Sequence, residues 1–530
     1  MPYPANGVLL VIDFINVEPG ESGCADVPAR LRRRDAALWS SDPDVQRAVD
    51  NRLGWLDAAG FMDRNTPQIL AFADRIKAAG YRQAVLLGMG GSSLAPEVYA
   101  SVSGPGAVDL TVADGTAPGH VRHLRAVCER APTLFIVSSK SGTTAETSAL
   151  EAYFFEWART RLDHPGEHFV AITDPGSPLQ ALAAERGYRE TFLNPVDIGG
   201  RYSALSFFGL VPGALAGVDV AALRRHLPAM EDESPQFSDA CRLGCCLGSL
   251  AAGGRNKLTL HLGPDFAPLA DWIEQLIDES TGKNGTGIVV VAGEPRLAAD
   301  HYAKDRVFAI MDGTGEPDEA WVRDLAALGH PIMRWRVAEP DRLGAEFYRW
   351  EVAAAAAGHV LGINPFDEPD VNDSKAATRA VLEHPGGSRA EVPQGPADLS
   401  RLLQGARAGD YIAILAFFPP TAANRERLSS WRTRLIRHTG LPCCVAFGPR
   451  YLHSAGQLHK GGPDQGLFVV VTVDSDDDVP IPGRTYGFKA LIAAQARGDL
   501  QVLRERGRRV VHLEAQDEGA GLDALLGDVP

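Results

Sequence analysis

Short apolar runs alternate with segments of helical periodicity along most of the chain. One face of an early helix carries four apolar residues at helical spacing, Ile69, Phe72, Ala73 and Ile76. Gly80 follows as a helix-ending glycine, and the apolar run 84–87 comes next. This alternation predicts an α/β protein whose parallel sheets are covered by helices.

The pattern divides into three α/β units. We predict an N-terminal segment over 1–45, a first unit over 46–215, a second over 216–385 and a C-terminal α/β extension over 396–530. The strands expected inside them are 84–87, 134–137 and 169–173, then 257–262, 287–291, 307–311 and 331–337, then 411–417, 443–447 and 467–473. The stretch 385–396 is rich in Pro, Gly and Ser, and is the best linker candidate.

Composition and charge exclude several classes of protein. The chain has 530 residues, is 45% apolar and carries a net charge of −15. This charge disfavours nucleic acid or an anionic membrane as a partner. We find no apolar run near the roughly 20 residues of a membrane span and no basic segment typical of a signal peptide. We therefore expect a cytoplasmic protein.

Seven cysteines are spread along the chain without a CxxC spacing: Cys24, Cys128, Cys241, Cys245, Cys246, Cys443 and Cys444. Neither a disulfide framework nor a zinc site fits this pattern. We expect buried, reduced thiols and no metal.

Two strand–loop–helix junctions are suited to an anion. Gly88–Ser93 is rich in glycine, and Ser138–Thr144 is rich in hydroxyl groups. Glycines let backbone N–H groups approach an anion at the positive end of a helix. The first loop lacks the G-x-G-x-x-G spacing of a dinucleotide fold, and a Walker lysine is absent. Together, the two loops favour the binding of a monoester phosphate. Thr143 and Glu146 have the spacing of a capping box.

These loops resemble the two phosphate loops of sugar isomerase (SIS) domains. Further motifs resemble the phosphoglucose isomerase family: 199–203 (GGRYS), 279–283 (ESTGK) and 362–370 (GINPFDEPD), with Lys375 beyond. The segments 34–39, 51–56 and 448–463 are similar to the isomerase half of bacterial transaldolase/phosphoglucose isomerase fusions. The resemblance implies two SIS-type, flavodoxin-like domains with parallel sheets, followed by the C-terminal extension.

The resemblance also implies roles for individual residues in an aldose–ketose isomerisation. Glu279 would be the base that moves a proton between C1 and C2, and Arg201 would stabilise the developing oxyanion. Lys375 and a histidine would open the sugar ring, and Glu146 would orient that histidine.

The ring-opening histidine is the least defined member of the set. His301 is the first candidate because of its spacing after Gly293-Glu-Pro295. His330 is a competitor, and His453 and His459 lie in the C-terminal motif. A buried histidine that serves only packing is the alternative for each of them.

The substrate phosphate is expected on the two loops, at Gly91, Ser92, Ser139, Lys140, Ser141, Thr143 and Thr144. The resemblance implies that the protein uses no cofactor and no metal, and that it is a homodimer.

Two alternatives to a simple glucose-6-phosphate isomerase stay open. One is a dual phosphoglucose/phosphomannose isomerase, because nothing in the sequence defines stereochemistry at C2. The other is a SIS module that binds a phosphosugar without turnover. One departure from the family is Glu368, where many relatives carry Gln.

Overall fold

The structure is a computed structural model and describes residues 11–17, 24–102, 108–231, 234–383, 393–474 and 478–527. Its strands are β1 (Asp13–Ile15), β2 (Gln83–Gly88), β3 (Asp109–Ala113), β4 (Thr133–Ser138), β5 (Phe169–Thr173), β6 (Glu190–Leu193), β7 (Lys257–Leu262), β8 (Val289–Val291), β9 (Arg306–Asp312), β10 (Ile332–Arg336), β11 (Tyr411–Phe417), β12 (Cys443–Phe447), β13 (Gly466–Val473) and β14 (Arg509–Ala515). Every strand predicted from the sequence is present, within two residues at each end.

The α-helices lie between these strands and, at the C-terminal end, after the last of them. They are α1 (Val27–Arg32), α2 (Pro43–Asp50), α3 (Ala58–Ala78), α4 (Leu94–Val102), α5 (Pro118–Cys128), α6 (Ala145–Arg159), α7 (Pro178–Glu185), α8 (Phe207–Ala216), α9 (Val220–Arg224), α10 (Pro228–Glu231), α11 (Pro235–Ala252), α12 (Leu269–Thr281), α13 (Glu319–Ala327), α14 (Leu343–Val360), α15 (Val371–Glu383), α16 (Pro396–Gln404), α17 (Ala422–Thr439), α18 (Gly456–Gly461), α19 (Phe488–Glu505) and α20 (Ala520–Gly527). Within the described ranges, none of them has the length and apolar composition that a membrane span requires.

The first sheet is parallel throughout and has the strand order β3-β2-β4-β5-β6. Strands β2 and β4 are neighbours, and Gly88 pairs with Ser138 at their carboxyl ends. The two predicted phosphate loops therefore begin side by side, at the carboxyl ends of two adjacent strands.

The second sheet has the order β1-β10-β9-β7-β8. Its strands are parallel except β1, which pairs antiparallel with β10 so that Asp13 lies opposite Arg334 and Ile15 opposite Ile332. Part of the segment predicted as a separate N-terminal piece thus forms the edge of this sheet.

The third sheet is parallel and has the order β12-β11-β13-β14. It belongs to the C-terminal extension. Most of the predicted linker 385–396, namely 385–392, lies outside the described residues. α15 ends at Glu383 before it, and α16 begins at Pro396 after it.

The first two sheets share one continuous apolar core. The ring of Phe347 in α14 lies 4.7 Å from that of Trp272 in α12 and 5.1 Å from that of Tyr99 in α4. Aromatic contacts of this kind join elements of both units through large buried areas. The junction between the two units is therefore a packed interior, and α12 runs through it.

The structure contradicts the expectation that all cysteines are reduced thiols, because Cys24 forms a disulfide with Cys245. The two residues are 221 positions apart, but α1 lies against α11 and brings their Cα atoms to 6.3 Å. That separation lies within the range a disulfide spans. The other five cysteines are buried thiols outside any disulfide, as predicted: Cys128, Cys241, Cys246, Cys443 and Cys444.

Candidate active site

The predicted base, Glu279, lies in the last turn of α12. The helix forms because its apolar residues share a face in the common core: Trp272, Ile273, Leu276 and Ile277, each at most 1% exposed. It continues to Thr281, beyond the predicted end at Ile277. It stops at Gly282, where a Cβ atom would lie only 2.3 Å from the Cα of Leu458 in α18. The C-terminal extension therefore packs directly against the end of the helix that carries Glu279.

The carboxylate of Glu279 is buried between a guanidinium and an amide. Its Oε1 lies 3.2 Å from Nη1 of Arg201, and its Oε2 accepts a hydrogen bond of 3.1 Å from Nε2 of Gln275. Burial raises the pKa of Glu279, the positive charge of Arg201 opposes this, and the negative charge of Glu368 adds to it, leaving the pKa above its ordinary value. A carboxylate with a raised pKa is better suited to proton transfer near neutral pH than an ordinary one.

Arg201 is fixed from several directions. It lies in the 3₁₀ turn Gly200–Tyr202 and is 4% exposed. Besides Glu279, its guanidinium donates hydrogen bonds to the carbonyls of Pro365 (2.8 Å) and Asp367 (2.9 Å), to Oγ of Ser280 (2.9 Å) and to Oε2 of Glu368 (3.1 Å). These bonds leave the guanidinium little freedom to rotate. They present a fixed positive charge beside the Glu279 carboxylate.

Glu368, the departure from the family pattern, shares Arg201 with Glu279. Its side chain is 46% exposed. Burial of the residue acts to raise its pKa, but Arg201 lowers it more strongly, and the pKa lies below its ordinary value. Two carboxylates therefore face one guanidinium, and Glu368 is the more acidic of the two.

Lys283, the last residue of the Glu279 motif, joins α12 to the segment that holds Arg201. Its Nζ donates to the carbonyls of Asn364 (2.8 Å) and Asp367 (2.6 Å) and lies 2.7 Å from Oδ1 of Asp367. Burial and the charge of Arg201 lower the pKa of Lys283 to about 8. The motif 362–370 thus supports both Arg201 and the end of α12.

The first phosphate loop is wedged between Arg201 and the C-terminal extension. A Cβ atom at Gly91 would lie 2.0 Å from the carbonyl oxygen of Gly200 and 2.9 Å from the backbone nitrogen of Arg201. Gly90 has φ of +56°, and a Cβ there would lie 2.7 Å from the carbonyl oxygen of His453. Both positions require glycine for close backbone approach, so the loop brings three parts of the chain together.

The second phosphate loop forms a cluster of hydroxyl groups before α6. Oγ of Ser139 lies 3.0 Å from Oγ1 of Thr144, and Oγ of Ser141 lies 2.9 Å from Oγ1 of Thr143. Between them Gly142 has φ of +68°. Hydroxyl groups at the N-terminus of a helix of 15 residues provide donors and positive potential for an anion. Ser92 of the first loop is buried, at 8% exposure.

Lys140 lies in the same loop but is held away from its hydroxyl groups. Its Nζ forms an ion pair with Oδ2 of Asp174 and donates to the carbonyl of Val196 at 3.2 Å. The side chain therefore ties the second loop to the segments that follow β5 and β6.

His453 is the histidine that the fold brings to Glu146. Its Nε2 lies 3.1 Å from Oε1 of Glu146, and its carbonyl accepts a hydrogen bond of 2.7 Å from Nε2 of Gln275. The same Glu146 oxygen accepts a hydrogen bond of 2.6 Å from Nε2 of Gln495. Oε1 of Gln495 in turn accepts a hydrogen bond of 2.8 Å from Oγ1 of Thr116. Gln275 bonds both the Glu279 carboxylate and the His453 backbone, so the two centres are joined by a single side chain.

The predicted capping box at Thr143 is absent. Thr144 is the N-cap of α6 and makes no side-chain cap bond, while Glu146 is 5% exposed and turned toward His453. Burial acts to raise the pKa of Glu146, but His453, the backbone and Lys375 lower it more, and the pKa lies below its ordinary value. A negative charge on Glu146 is stabilised better by these partners than by a helix cap.

Lys375 is exposed on α15, and its positive charge reaches Glu146. α15 is held close to α19, since a Cβ atom at Gly498 would lie 2.8 Å from the backbone nitrogen of Thr378. Helix α19 also carries Gln495, so the positions of both Lys375 and Gln495 depend on the C-terminal extension.

The other candidate histidines lie elsewhere. The side chain of His301 is 55% exposed, and its Nδ1 lies 3.0 Å from Oδ1 of Asp300. His330 is buried, with its ring 5.3 Å from that of Phe308. His459 is buried among Tyr411, Tyr451 and Phe468, and burial lowers its pKa to about 3. Of the four candidates, His453 is therefore the one that the described part of the chain places against Glu146.

Sequence reasoning missed three supporting side chains. Gln275 is one helical turn before Glu279, and the i, i+4 spacing on α12 could have indicated it. Lys283 closes the motif that was used to identify Glu279, but its role as a bridge depends on the distant segment 364–367. Gln495 lies 349 residues from Glu146 and carries no local signal.

Comparisons with known proteins agree on one family. The family model for phosphoglucose isomerase matches residues 72–221. A glucose-6-phosphate isomerase of Heliobacterium modesticaldum is 28% identical over 396 residues, covering 63% of this chain and 88% of the relative. A probable glucose-6-phosphate isomerase of Haloarcula marismortui is 30% identical over 341 residues, covering 56% of this chain and 77% of the relative.

Solved structures show the same fold. A hypothetical protein of Thermus thermophilus is 25% identical with a TM-score of 0.59, and the match covers 70% of this chain and 99% of that one. A glucose-6-phosphate isomerase of Chlamydia trachomatis has a TM-score of 0.56 at 19% identity, covering 69% of this chain and 86% of that one. From the motifs, the geometry of the site and these similarities, the chain belongs to the phosphoglucose isomerase family.

Proposed function

We propose that the protein interconverts glucose 6-phosphate and fructose 6-phosphate. The observation that carries the proposal is the buried pair of Glu279 and Arg201, with Oε1 and Nη1 3.2 Å apart, beside the first phosphate loop. The relatives named glucose-6-phosphate isomerase support the same reaction. A phosphosugar-binding module without turnover would have no need of a base with a raised pKa against a fixed cation.

The phosphate group binds at the second loop in this proposal. The hydroxyl groups of Ser139, Ser141, Thr143 and Thr144 and the N-terminus of α6 provide its donors. Gly91 and Ser92 complete the site from the first loop. Lys140, which the sequence also suggested, is not assigned a phosphate contact, because its ammonium group is paired with Asp174.

Ring opening is assigned to His453, in place of His301, together with Lys375. One of the two takes the proton of the anomeric hydroxyl, the C1–O5 bond breaks, and the other donates a proton to O5. Glu146 orients the imidazole and stabilises its positive charge, and Gln495 holds Glu146 in place.

Isomerisation is assigned to Glu279 and Arg201. The Glu279 carboxylate takes the proton from C2 of the open aldose, which gives a cis-enediolate. The hydroxyl proton passes from O2 to O1 through the cis-enediol stage, and Glu279 returns its proton to C1 to form the ketose. Arg201 stabilises the negative charge on the oxygens while it develops. The hydrogen bond from Gln275 keeps the carboxylate turned toward the substrate.

The test is turnover of fructose 6-phosphate, coupled to glucose-6-phosphate dehydrogenase, in the wild type and in Glu279→Gln. We expect activity that persists in EDTA, because Arg201 supplies the charge that a metal would otherwise provide. Glu279→Gln is expected to lower turnover by about 10²- to 10⁴-fold, since the amide cannot accept the proton.

A matched control is Glu185→Gln, an exposed carboxylate at the end of α7, which is expected to keep wild-type turnover. Calorimetry is expected to show that Glu279→Gln still binds fructose 6-phosphate. Wild-type turnover in Glu279→Gln would remove Glu279 as the base. Binding without turnover in the wild type would favour a sensor.

We further propose that the protein is a homodimer and acts in the cytoplasm, where sugar phosphates are interconverted. The contact of His453 with Glu146 forms within one chain, so the ring-opening pair does not need a partner subunit. Light scattering at micromolar concentration tests the dimer, and a monomeric mass would contradict it.

A further inference from the structure

A polar cleft lies beside the segment of His453, and its lining includes Tyr451 and Ser454. Its volume is about 270 Å³, which suits a small molecule. The carboxyl ends of strands from all three sheets meet at it: Asp114 follows β3, Ala292 follows β8, and Gly448 follows β12. Parallel sheets commonly bind ligands at the carboxyl ends of their strands, and here three sheets contribute to one cleft.

The acidic and basic side chains that line the cleft come from different parts of the chain. Acidic side chains come from the first two units, Asp114, Asp271 and Glu274. Basic side chains come from the C-terminal extension, Arg425, Arg432 and Arg450. The cleft therefore carries groups of both charges.

Arg450 is already neutralised by protein groups. It lies 3.2 Å from Oδ2 of Asp114, 3.2 Å from Oδ2 of Asp271 and 2.6 Å from Oε2 of Glu97. The cluster holds this part of the cleft together, and it leaves Glu274, Arg425 and Arg432 in the lining without an ion pair among the described residues.

These remaining groups lack full partners. Arg432 is 6% exposed, and its Nε has no hydrogen-bond partner among the described residues. Arg425 is exposed and donates from Nε to the carbonyl of Pro420 at 3.2 Å. Burial and the nearby Asp271 raise the pKa of Glu274 to about 8, so its ionisation would be favoured by a positive group placed next to it. A buried guanidinium nitrogen without an acceptor is costly unless a ligand supplies one.

We propose that this cleft binds a small zwitterion, a free α-amino acid, with its carboxylate on Arg425 and Arg432 and its ammonium group on Glu274. The planar guanidinium groups match a carboxylate, and Glu274 provides the acceptor for the ammonium group. The site is separate from the proposed catalytic residues. It borders Tyr451 and Ser454, which flank the segment of His453.

The test is calorimetry with a panel of the free proteinogenic amino acids, each added at millimolar concentration to the full chain. We expect saturable binding of at least one of them, unaffected by saturating fructose 6-phosphate. Arg425→Gln and Glu274→Gln are each expected to weaken that affinity about tenfold, the effect of losing one charge-assisted contact.

Matched controls are Arg437→Gln, exposed in the last turn of α17, and Glu185→Gln in α7, and both are expected to bind like the wild type. Arg425 is on the surface, so its substitution does not threaten the fold. Absence of binding across the panel would overturn the proposal. So would binding that both cleft variants retain, or binding that fructose 6-phosphate abolishes. None of these readouts depends on isomerase turnover.

Discussion

The two polar centres of the site are built in different ways. Arg201 and Glu279 are held within the shared core of the first two units, by carbonyls and side chains that leave the guanidinium no free direction. Glu146 and His453 are 307 residues apart and meet only because the C-terminal extension docks on the first unit. The first centre is thus fixed by short motifs that all lie within the first two units. The second depends on the position of a separate unit. We expect substitutions in the first centre to impair isomerisation and substitutions in the second to impair ring opening.

After Glu279→Gln, the largest effect is expected from Arg201→Lys. A lysine keeps the positive charge but cannot reproduce the five contacts of the guanidinium, so the charge moves away from the oxyanion. Turnover is expected to fall about 10²- to 10³-fold, as when an oxyanion donor is removed.

The control is Arg64→Lys, on the surface of α3 and paired with Asp57, which is expected to keep wild-type turnover. Thermal unfolding of both variants separates a loss of chemistry from a loss of fold. If Arg201→Lys turned over like the wild type, the fixed geometry of the first centre would not matter for the reaction.

The second centre is tested by His453→Asn, with His301→Asn as its control. His453→Asn removes the ring-opening group and is expected to lower turnover about 10²-fold. His301 is exposed and paired with Asp300, so His301→Asn is expected to have no effect.

Anomer exchange measured by NMR distinguishes the roles of the two centres, because it reports ring opening without isomerisation. Glu279→Gln is expected to keep accelerating the exchange between the α and β anomers of glucose 6-phosphate. His453→Asn is expected to lose that acceleration. Loss of exchange in Glu279→Gln as well would mean that the two centres do not act separately.

The same contrast explains what could be predicted from the sequence. Strands β2, β4 and β5 are continuous apolar runs, and the motifs of Glu279 and Arg201 are contiguous. These strands and these motifs could therefore be predicted from the sequence. Strands β1, β3, β6 and β14 were missed. All four lie at the edge of a sheet, and the first three are short and only partly buried. Such edge strands carry little periodicity, and tertiary pairing decides whether they form.

Long-range contacts account for the remaining differences. Which histidine meets Glu146, and which cysteine meets Cys24, depends on docking across hundreds of residues. The spacing after Gly293 that favoured His301 describes only the local chain. The Thr143–Glu146 capping pattern was present in the sequence, but the buried partners of Glu146 compete successfully with the helix cap.

A smaller effect is expected from Gln495→Leu, which weakens the second centre without removing a group that touches substrate. Leucine cannot donate to Glu146, which leaves the carboxylate free to rotate away from His453. One hydrogen bond to a charged group contributes about 1.5 to 3 kcal/mol. We expect the lower end of this range, a fall in turnover of about tenfold, because His453 still contacts the carboxylate.

Gln501→Leu is the control, since Gln501 lies on the same helix and bonds Glu505 at the surface. Gln495→Glu would place a second carboxylate against Glu146, and is expected to be worse than Gln495→Leu. Anomer exchange is expected to fall in parallel with turnover in Gln495→Leu. A fall in turnover with normal exchange would place Gln495 in the first centre.

The smallest effect is expected from Glu368→Gln, and it concerns pH. The charge of Glu368 raises the pKa of Glu279, so its removal is expected to lower that pKa. Glu279 acts as a base only when ionised, and kcat/KM therefore falls as the pH drops through its pKa. The acidic limb of the pH profile is expected to move to lower pH in Glu368→Gln, whereas Glu185→Gln leaves it in place. A shift toward higher pH would mean that Glu368 acts mainly by orienting Arg201, whose charge would then reach Glu279 less well.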